Sequence, residues 1–437
     1  LWNIASGIYS LPPTMKITFP DTINRFDKQI TVEAVVNDIN GIESVELHAQ
    51  IGGTDEKIVL PMDAINDSTY EVRIVDSLKS VYNLRGQIIT VDGMSNFGFS
   101  SVQTPTMQFA TGELTMADSN MSFYPEGLPA NRWRLFSIPG IIDSNEIKPN
   151  DLEDGHVFYD WDPVAESWFK PDSIVIGRAY WFKHKYDEPV IFSNKDTTGY
   201  SVPLESYEIK LHQGANMVGS PFPFPVRAVL SEGVSDPYKY GSDLKEGWAD
   251  TNIFEPWAGY AVQSTSDSGK ITFYPIQDTT IAARTANSGW RLNLDLLSNS
   301  SFDRTSAIGR CDACEENVDI NDMLLLPSLT QRVFISLDII NNGQFVYSKD
   351  LRSTSEFNGV WNMRVNRPNA EGSLILKGAY ENDMPNDLVL MIVNVSTREV
   401  LKNFPLESFE LSNLNSEFND FKIIAGEEAY VLSMVDL

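Results

Sequence analysis

The stretch "NRWRLFSIPG" (131–140) is a short apolar strand-like run ending in a proline, and a second run of the same kind, "GANMVGSPFP" (214–223), follows it. Setting Pro139 on Pro221 places Trp133, Leu135 and Phe136 on Ala215, Met217 and Val218. The register persists downstream. Trp168 lies 80 residues before Trp248, "GRAYWF" (177–182) lies 80 before "WAGYAV" (257–262), and "PVIF" (189–192) lies 81 before "KITF" (270–273). Trp168 to Tyr180 and Trp248 to Tyr260 are both steps of 12. Landmarks recurring at one offset define an internal duplication of about 80 residues. Two copies are too few for a solenoid. The units, about 117–200 and 201–280, are therefore expected to pack on each other as one pseudo-symmetric β domain.

The flanking regions also read as strands. In "SVELHAQI" (44–51), Val45, Leu47, Ala49 and Ile51 fall on one face and Ser44, Glu46, His48 and Gln50 on the other. "QITVEAVV" (29–36) and "YEVRIV" (70–75) alternate in the same way, and "NDINGIES" (37–44) supplies an Asn-Gly turn. This pattern over 15–116, after a linker at 1–14, predicts an antiparallel sandwich of immunoglobulin type, without the Cys, Trp and Cys signature of antibody domains. Strand-length runs separated by Asn, Gly, Pro and Ser clusters recur from "GWRLNLDL" (289–296) to "FKIIAGEEAYV" (421–431). They predict another sandwich over 281–430, with 431–437 a linker or processed tail. The fold class is thus all-β: tandem antiparallel β-sandwich domains, the first immunoglobulin-like and the second internally duplicated.

Charge narrows the partners. The 437 residues carry 33 basic and 60 acidic side chains, a net charge of -27 that repels a phosphate backbone, so nucleic acid is not an expected partner. An aromatic content of 11% argues against disorder and for packed cores. The longest apolar run, "LVLMIV" (388–393), is far short of a membrane span and reads as a buried strand. The opening "LWNIASGIYSLPPTM" (1–15) has no initiator Met, basic n-region or useful apolar h-region, as in a mature product or a fragment.

The order of "GWRLNLDL", "FDRTSAIG" (302–309), "VDINDMLLLPSL" (318–329), "LRSTSEFNGVWNMRV" (351–365) and "FKIIAGEEAYV" resembles the C-terminal region of large bacterial secreted proteins exported by the type IX system. The preceding "WRLFSIP" and "WAGYAV" segments, and the module holding "STYEVRIVDSLKSVYNLRGQIITVDGMSNFG" (68–98), are similar to what precedes that region in the family. The resemblance implies a secreted, multidomain, cell-surface protein. It also implies a C-terminal sorting domain after the "GEEAYV" position, where this chain stops, as it would after removal on export.

No P-loop, GxGxxG, HExxH or GxSxG pattern occurs, and "GMSNFG" (93–98) has the wrong spacing for a nucleophile and the right composition for a hairpin turn. His48, His156, His184 and His212 are too far apart in sequence to share a strand face. Asp303, Asp312, Asp319, Asn321 and Asp322 form the best candidate for a structural calcium site, although the EF-hand Gly and Glu are missing. Cys311 and Cys314 are open to three readings: a loop-stapling disulfide, free thiols, or metal or redox chemistry. A disulfide would place the chain in an oxidising compartment. Trp133, Tyr159, Trp161, Trp168, Tyr180, Trp181, Trp248, Trp257 and Tyr260 cluster in the duplicated domain. Spacing that repeats with the fold unit marks them as core; the six tryptophans are also the candidate ligand-facing rings for a glycan.

These readings converge on a non-catalytic, extracellular accessory region that acts as spacer, stabiliser or adhesion module, with no cofactor beyond structural calcium. Its expected partners are other domains of the same parent protein and a cell-surface protein or glycan. Three alternatives remain: a carbohydrate- or protein-binding module, the C-terminal part of a secreted peptidase or other hydrolase, and a surface-layer or filament subunit.

Overall fold

The computed structural model describes residues 11–24, 29–52, 57–75, 82–111, 114–117, 122–140, 155–193, 200–242, 245–277, 289–319, 321–330, 332–368, 373–381, 384–401, 408–411 and 417–435. The boundary expected at 280/281 and most of the 1–14 linker lie outside them. Strands dominate, in antiparallel sheets with a few parallel junctions, and the one helix among the described residues is Glu428–Val435.

In the first region, the strand Gln29–Asn37 alternates strictly, burying Ile30, Val32, Ala34 and Val36. It pairs with Thr14–Thr18 and Thr69–Val75. A second sheet is built on Ile42–Gly52, which buries Val45, Leu47 and Ala49, pairs with Lys57–Pro61 and Tyr82–Asp92, and ends at the edge strand Phe97–Phe99. The two inner faces make the sandwich that the period-two pattern requires.

The duplication is visible as topology. Arg134–Ser137, His156–Asp162, Ser167–Phe169 and Ala179–His184 form a four-stranded sheet in which the first strand pairs the fourth, the fourth the second, and the second the third. Gly214–Gly219, Tyr238–Ser242, Lys245–Asp250 and Gly259–Ser264 repeat that order. Even the cross-strand partners correspond. Phe136 faces Tyr180 as Val218 faces Tyr260, and Trp161 faces Trp168 as Tyr240 faces Trp248. The two tyrosines recur because each hydroxyl accepts a backbone N–H five residues upstream, from Val175 at 2.7 Å and from Glu255 at 2.6 Å.

A pseudo-twofold axis relates the units. The Ser137 N–H donates to the Trp257 carbonyl at 3.1 Å, and its counterpart, Gly219 N–H, donates to the Gly177 carbonyl at 3.0 Å. Gly177 and Trp257 both take left-handed backbone, with φ of 82° and 69°. A tryptophan tolerates that strain only where its surroundings hold it, and Trp257 is buried.

The regions are joined more closely than the sequence pattern suggests. Thr106–Thr111 pairs antiparallel with Tyr200–Pro203 from the link between the units, Phe109 packs on Phe224, and one cluster of buried side chains runs from Ile23 of the first region to Phe273 of the second unit, beside a separate cluster around Trp181, Tyr240 and Trp248. Lys245–Asp250 runs parallel to Ser301–Cys311, so the second unit and the third region share a 15-stranded sheet. There Trp290, Leu292, Leu294 and Leu296 pack with Trp361, Met363 and Val365 in a second core. The tail departs from the expected strand and linker. The strand Phe418–Gly426 stops where Asn358 Oδ1 occupies the space a Cβ of Gly426 would need, and that oxygen accepts the Glu427 N–H at 2.9 Å. Glu428 sits in the first turn of the following helix, where its charge favours the helix dipole, and Val431 is buried.

Candidate functional site

A cleft of about 1390 Å³ opens where the second unit, the tip of the first and the third region meet. Its walls come from Glu166, 212–214, 233–236, 263–265 and Asp267, and from 313, 315, 318, 319 and 321–324 of the third region. Two side-chain bridges fix its floor. The Gln263 amide donates to the Leu324 carbonyl at 2.7 Å and accepts the Leu324 N–H at 3.2 Å, imitating a strand neighbour. The buried Lys349 ammonium donates to the Tyr238 hydroxyl and lies over the Tyr238 ring.

Cys311 and Cys314 are joined in a disulfide, with Cα atoms 5.2 Å apart, and close a turn at the end of the Ser301–Cys311 strand. Beyond it, Glu316 reaches back 2.6 Å to the buried Arg310, which also donates to the Asn358 carbonyl at 2.7 Å and lies over Trp361. Residues 313, 315, 318 and 319 of the same loop line the cleft.

The four carboxylates proposed for calcium are dispersed. Asp303, near the start of the Ser301–Cys311 strand, is fully buried and accepts from Thr305, Ser306 and the Ile335 N–H. Asp312 lies past the strand's other end, roughly 30 Å away at ~3.3 Å per residue, bonded to Thr354. Asp319 and Asp322 are neighbours, but their oxygens accept backbone N–H groups of Glu315, Asn321, Leu351 and Asp319. A single site on all four is therefore corrected, and no three His, Cys, Asp or Glu side chains among the described residues are placed to hold a metal.

Burial pushes the Asp322 carboxyl up to about 7, against the two backbone donors that favour its charged form, with Asp350 and Asp319 adding to the rise. The folded chain therefore binds this proton more tightly than the unfolded one. Its contribution to stability is complete below about 3.8 and is lost as pH rises through about 7. Denaturant midpoints measured from pH 4 to pH 8 should show this loss. Asp322→Asn should flatten that part of the profile, whatever its offset in absolute stability.

Far apart in sequence, His156 and His184 nevertheless stand opposite each other on paired strands, a correction of the sequence expectation, and both bond Tyr186, whose N–H donates to His184 Nδ1 at 3.2 Å. His184 is buried with its Nε2 2.7 Å from the Leu128 carbonyl, His48 pairs with Glu46, His156 with Tyr186, and His212 lies 3.6 Å from Asp267 at the cleft.

The tryptophans divide by burial. Trp181, Trp248 and Trp257 are buried to the last few per cent, so the ligand-facing reading is corrected for these three: a ring enclosed by protein offers no face to a sugar. Trp161 is 9% exposed and donates its Nε1–H to the Ala215 carbonyl at 2.8 Å. Trp133 and Trp168 are half-buried at the edge of the layer.

Around Trp133 lies a group that the sequence reading left out. Tyr159 packs on its ring at 5.9 Å and Trp181 meets it edge-on at 6.4 Å, while the Lys183 ammonium stands 5.8 Å from the ring centroid. Arg132, Arg134 and Lys183 all act on one half-buried carboxylate, Glu246, opposing the rise in its pKa that burial causes. Arg132 and Lys183 are themselves half-buried. The available signal was the comparison of the two copies, since Arg132, Trp133 and Lys183 stand where the second unit has Gly214, Ala215 and Gln263.

No family model and no curated protein sequence matches the chain. Among solved structures it is similar to a 1.5-MDa bacterial ice-binding adhesin, at 9% identity and a TM-score of 0.19, over 94% of this chain and 87% of that one. It is similar to a Ca²⁺-stabilised adhesin of an Antarctic bacterium, at 10% identity and a TM-score of 0.19, over 97% and 93%. Invasin, a bacterial integrin-binding protein, aligns at 8% identity and a TM-score of 0.20, over 88% and 82%. At such scores the backbones do not superpose over the chain. No helix among the described residues is long and apolar enough to cross a membrane.

Proposed function

We propose that this chain is a rigid, non-catalytic, extracellular spacer and adhesion module of a secreted or cell-surface protein. The observation that carries the reading is the pairing of strands across its regional boundaries, 106–111 with 200–203 and 245–250 with 301–311. Backbone hydrogen bonds at both joints make hinge motion between regions costly, which suits a part that holds others at fixed separation. The Cys311–Cys314 disulfide supports an oxidising compartment. Export by the type IX route belongs to the same proposal.

Gly247 tests it. A Cβ there would lie 2.1 Å from the Phe302 carbonyl oxygen, so Gly247→Ala must push the paired strands apart. The native chain should unfold in one calorimetric transition and scatter X-rays as one rigid particle. Gly247→Ala should cost ~2 kcal/mol and separate the transition of the third region from the rest. Independent transitions in the native chain, or robust hydrolase activity of the isolated 437 residues, would contradict the proposal.

A further inference from the structure

We propose that the rim formed by Arg132, Trp133, Tyr159 and Lys183 binds an acidic saccharide. The site stands independently of the spacer reading, because it rests on a comparison that the molecule makes with itself. Both units build the same sheet in the same register, so a surface side chain that the strand pairing itself requires should appear in both copies. At the rim it does not. The second unit makes its sheet with Gly214, Ala215 and Gln263 in place of Arg132, Trp133 and Lys183. There the corresponding surface is used up by the third region, Gln263 on the Leu324 backbone and Tyr238 on Lys349. In the first unit the equivalent positions are half-buried and carry two cations and two aromatic rings.

The chemistry selects the ligand. An indole and a phenol ring 5.9 Å apart offer apolar faces to the C–H side of a pyranose ring. Lys183, standing over Trp133, meets an acidic substituent on a sugar lying there, and Arg132, adjacent to Trp133 in the chain, adds a second cation. With Arg134 buried against Glu246, the half-buried Arg132 and Lys183 leave local positive charge in a chain of net charge -27, which favours an anion here. A neutral glycan would use the rings alone, and an acidic peptide the cations alone.

The test is titration calorimetry of the full chain with a heparin octasaccharide, an oligogalacturonate, neutral maltohexaose and poly-glutamate. At least one acidic oligosaccharide should bind, with affinity falling as salt rises, while maltohexaose and poly-glutamate bind at least tenfold more weakly. Trp133→Ala and Lys183→Gln should each weaken binding by tenfold or more. Lys183→Gln installs the residue with which the second unit already folds, so a folding failure of Trp133→Ala leaves the test intact. The proposal is overturned if neither acidic oligosaccharide binds, if Lys183→Gln leaves affinity unchanged, or if poly-glutamate binds as well as the sugars.

Discussion

Gly219→Ser should unfold the chain far more easily than any surface substitution, and adding Ser137→Gly to it should restore most of the loss. The two positions are equivalents in the duplicated units and meet at the pseudo-twofold axis. A Cβ on Gly219 would lie 2.0 Å from the Ser137 Cβ, 2.4 Å from its Oγ and 3.1 Å from the Arg178 carbonyl. Only one of the pair can carry a side chain. Overpacking a buried site costs ~3 kcal/mol at the upper end of its usual range, and an enclosed hydroxyl without a partner adds ~1–3 kcal/mol. Ser137→Gly alone loses the hydrogen bond from its Oγ to the Ala258 carbonyl, 2.7 Å long, at ~1 kcal/mol. In the exchanged pair, the hydroxyl introduced by Gly219→Ser would meet the Arg178 carbonyl, the counterpart of Ala258, and the clash disappears. A double-mutant cycle on denaturant midpoints should give a coupling of ~3–5 kcal/mol. Additive losses would mean that the axis does not govern this contact.

That swap depends on a feature that was legible in the sequence. The offset from Trp168 and Tyr180 to Trp248 and Tyr260 survives because each tyrosine must reach a backbone N–H at fixed spacing and each tryptophan must fill the same inter-strand space. Alternation in Gln29–Asn37 was legible for a related reason: one face is buried and every second residue must be apolar. The joints between regions were not. The pairing of Lys245–Asp250 with Ser301–Cys311 is made by backbone groups, which leave little trace in side-chain type beyond the small Gly247. Burial was equally hidden: Trp133 and Trp181 share a sheet face, yet one is half-exposed and the other enclosed, because only the second lies beneath the neighbouring unit. The grouping of four carboxylates into one calcium site missed a similar point, since Asp303 and Asp312 are carried apart by an extended strand. The tail helix was obscured by apolar residues that suit a strand as well as a helix.

Trp181→Ala carries the other large expectation, a loss of ~3–5 kcal/mol. Its ring centroid lies 4.4 Å from Tyr240 and 6.1 Å from Trp248 in the second unit, and 6.1 Å from Trp168 in its own. The equivalent residue is Ala261, so the space that the Trp181 indole fills between the units has no counterpart ring from that position of the second unit. The Trp181 Nε1–H has no hydrogen-bond partner, so the loss is one of packing alone, and Trp181→Phe should cost less than half as much. Denaturant unfolding of both variants decides the matter: a Trp181→Ala cost below ~1 kcal/mol would mean that the aromatic layer does not join the units. Lys183 lies two residues along the same strand, on the same face but at the open rim. Lys183→Gln should leave stability within ~0.5 kcal/mol of the native chain. A strand that tolerates one change and not the other, at positions on one face, separates what the fold needs from what the rim was given.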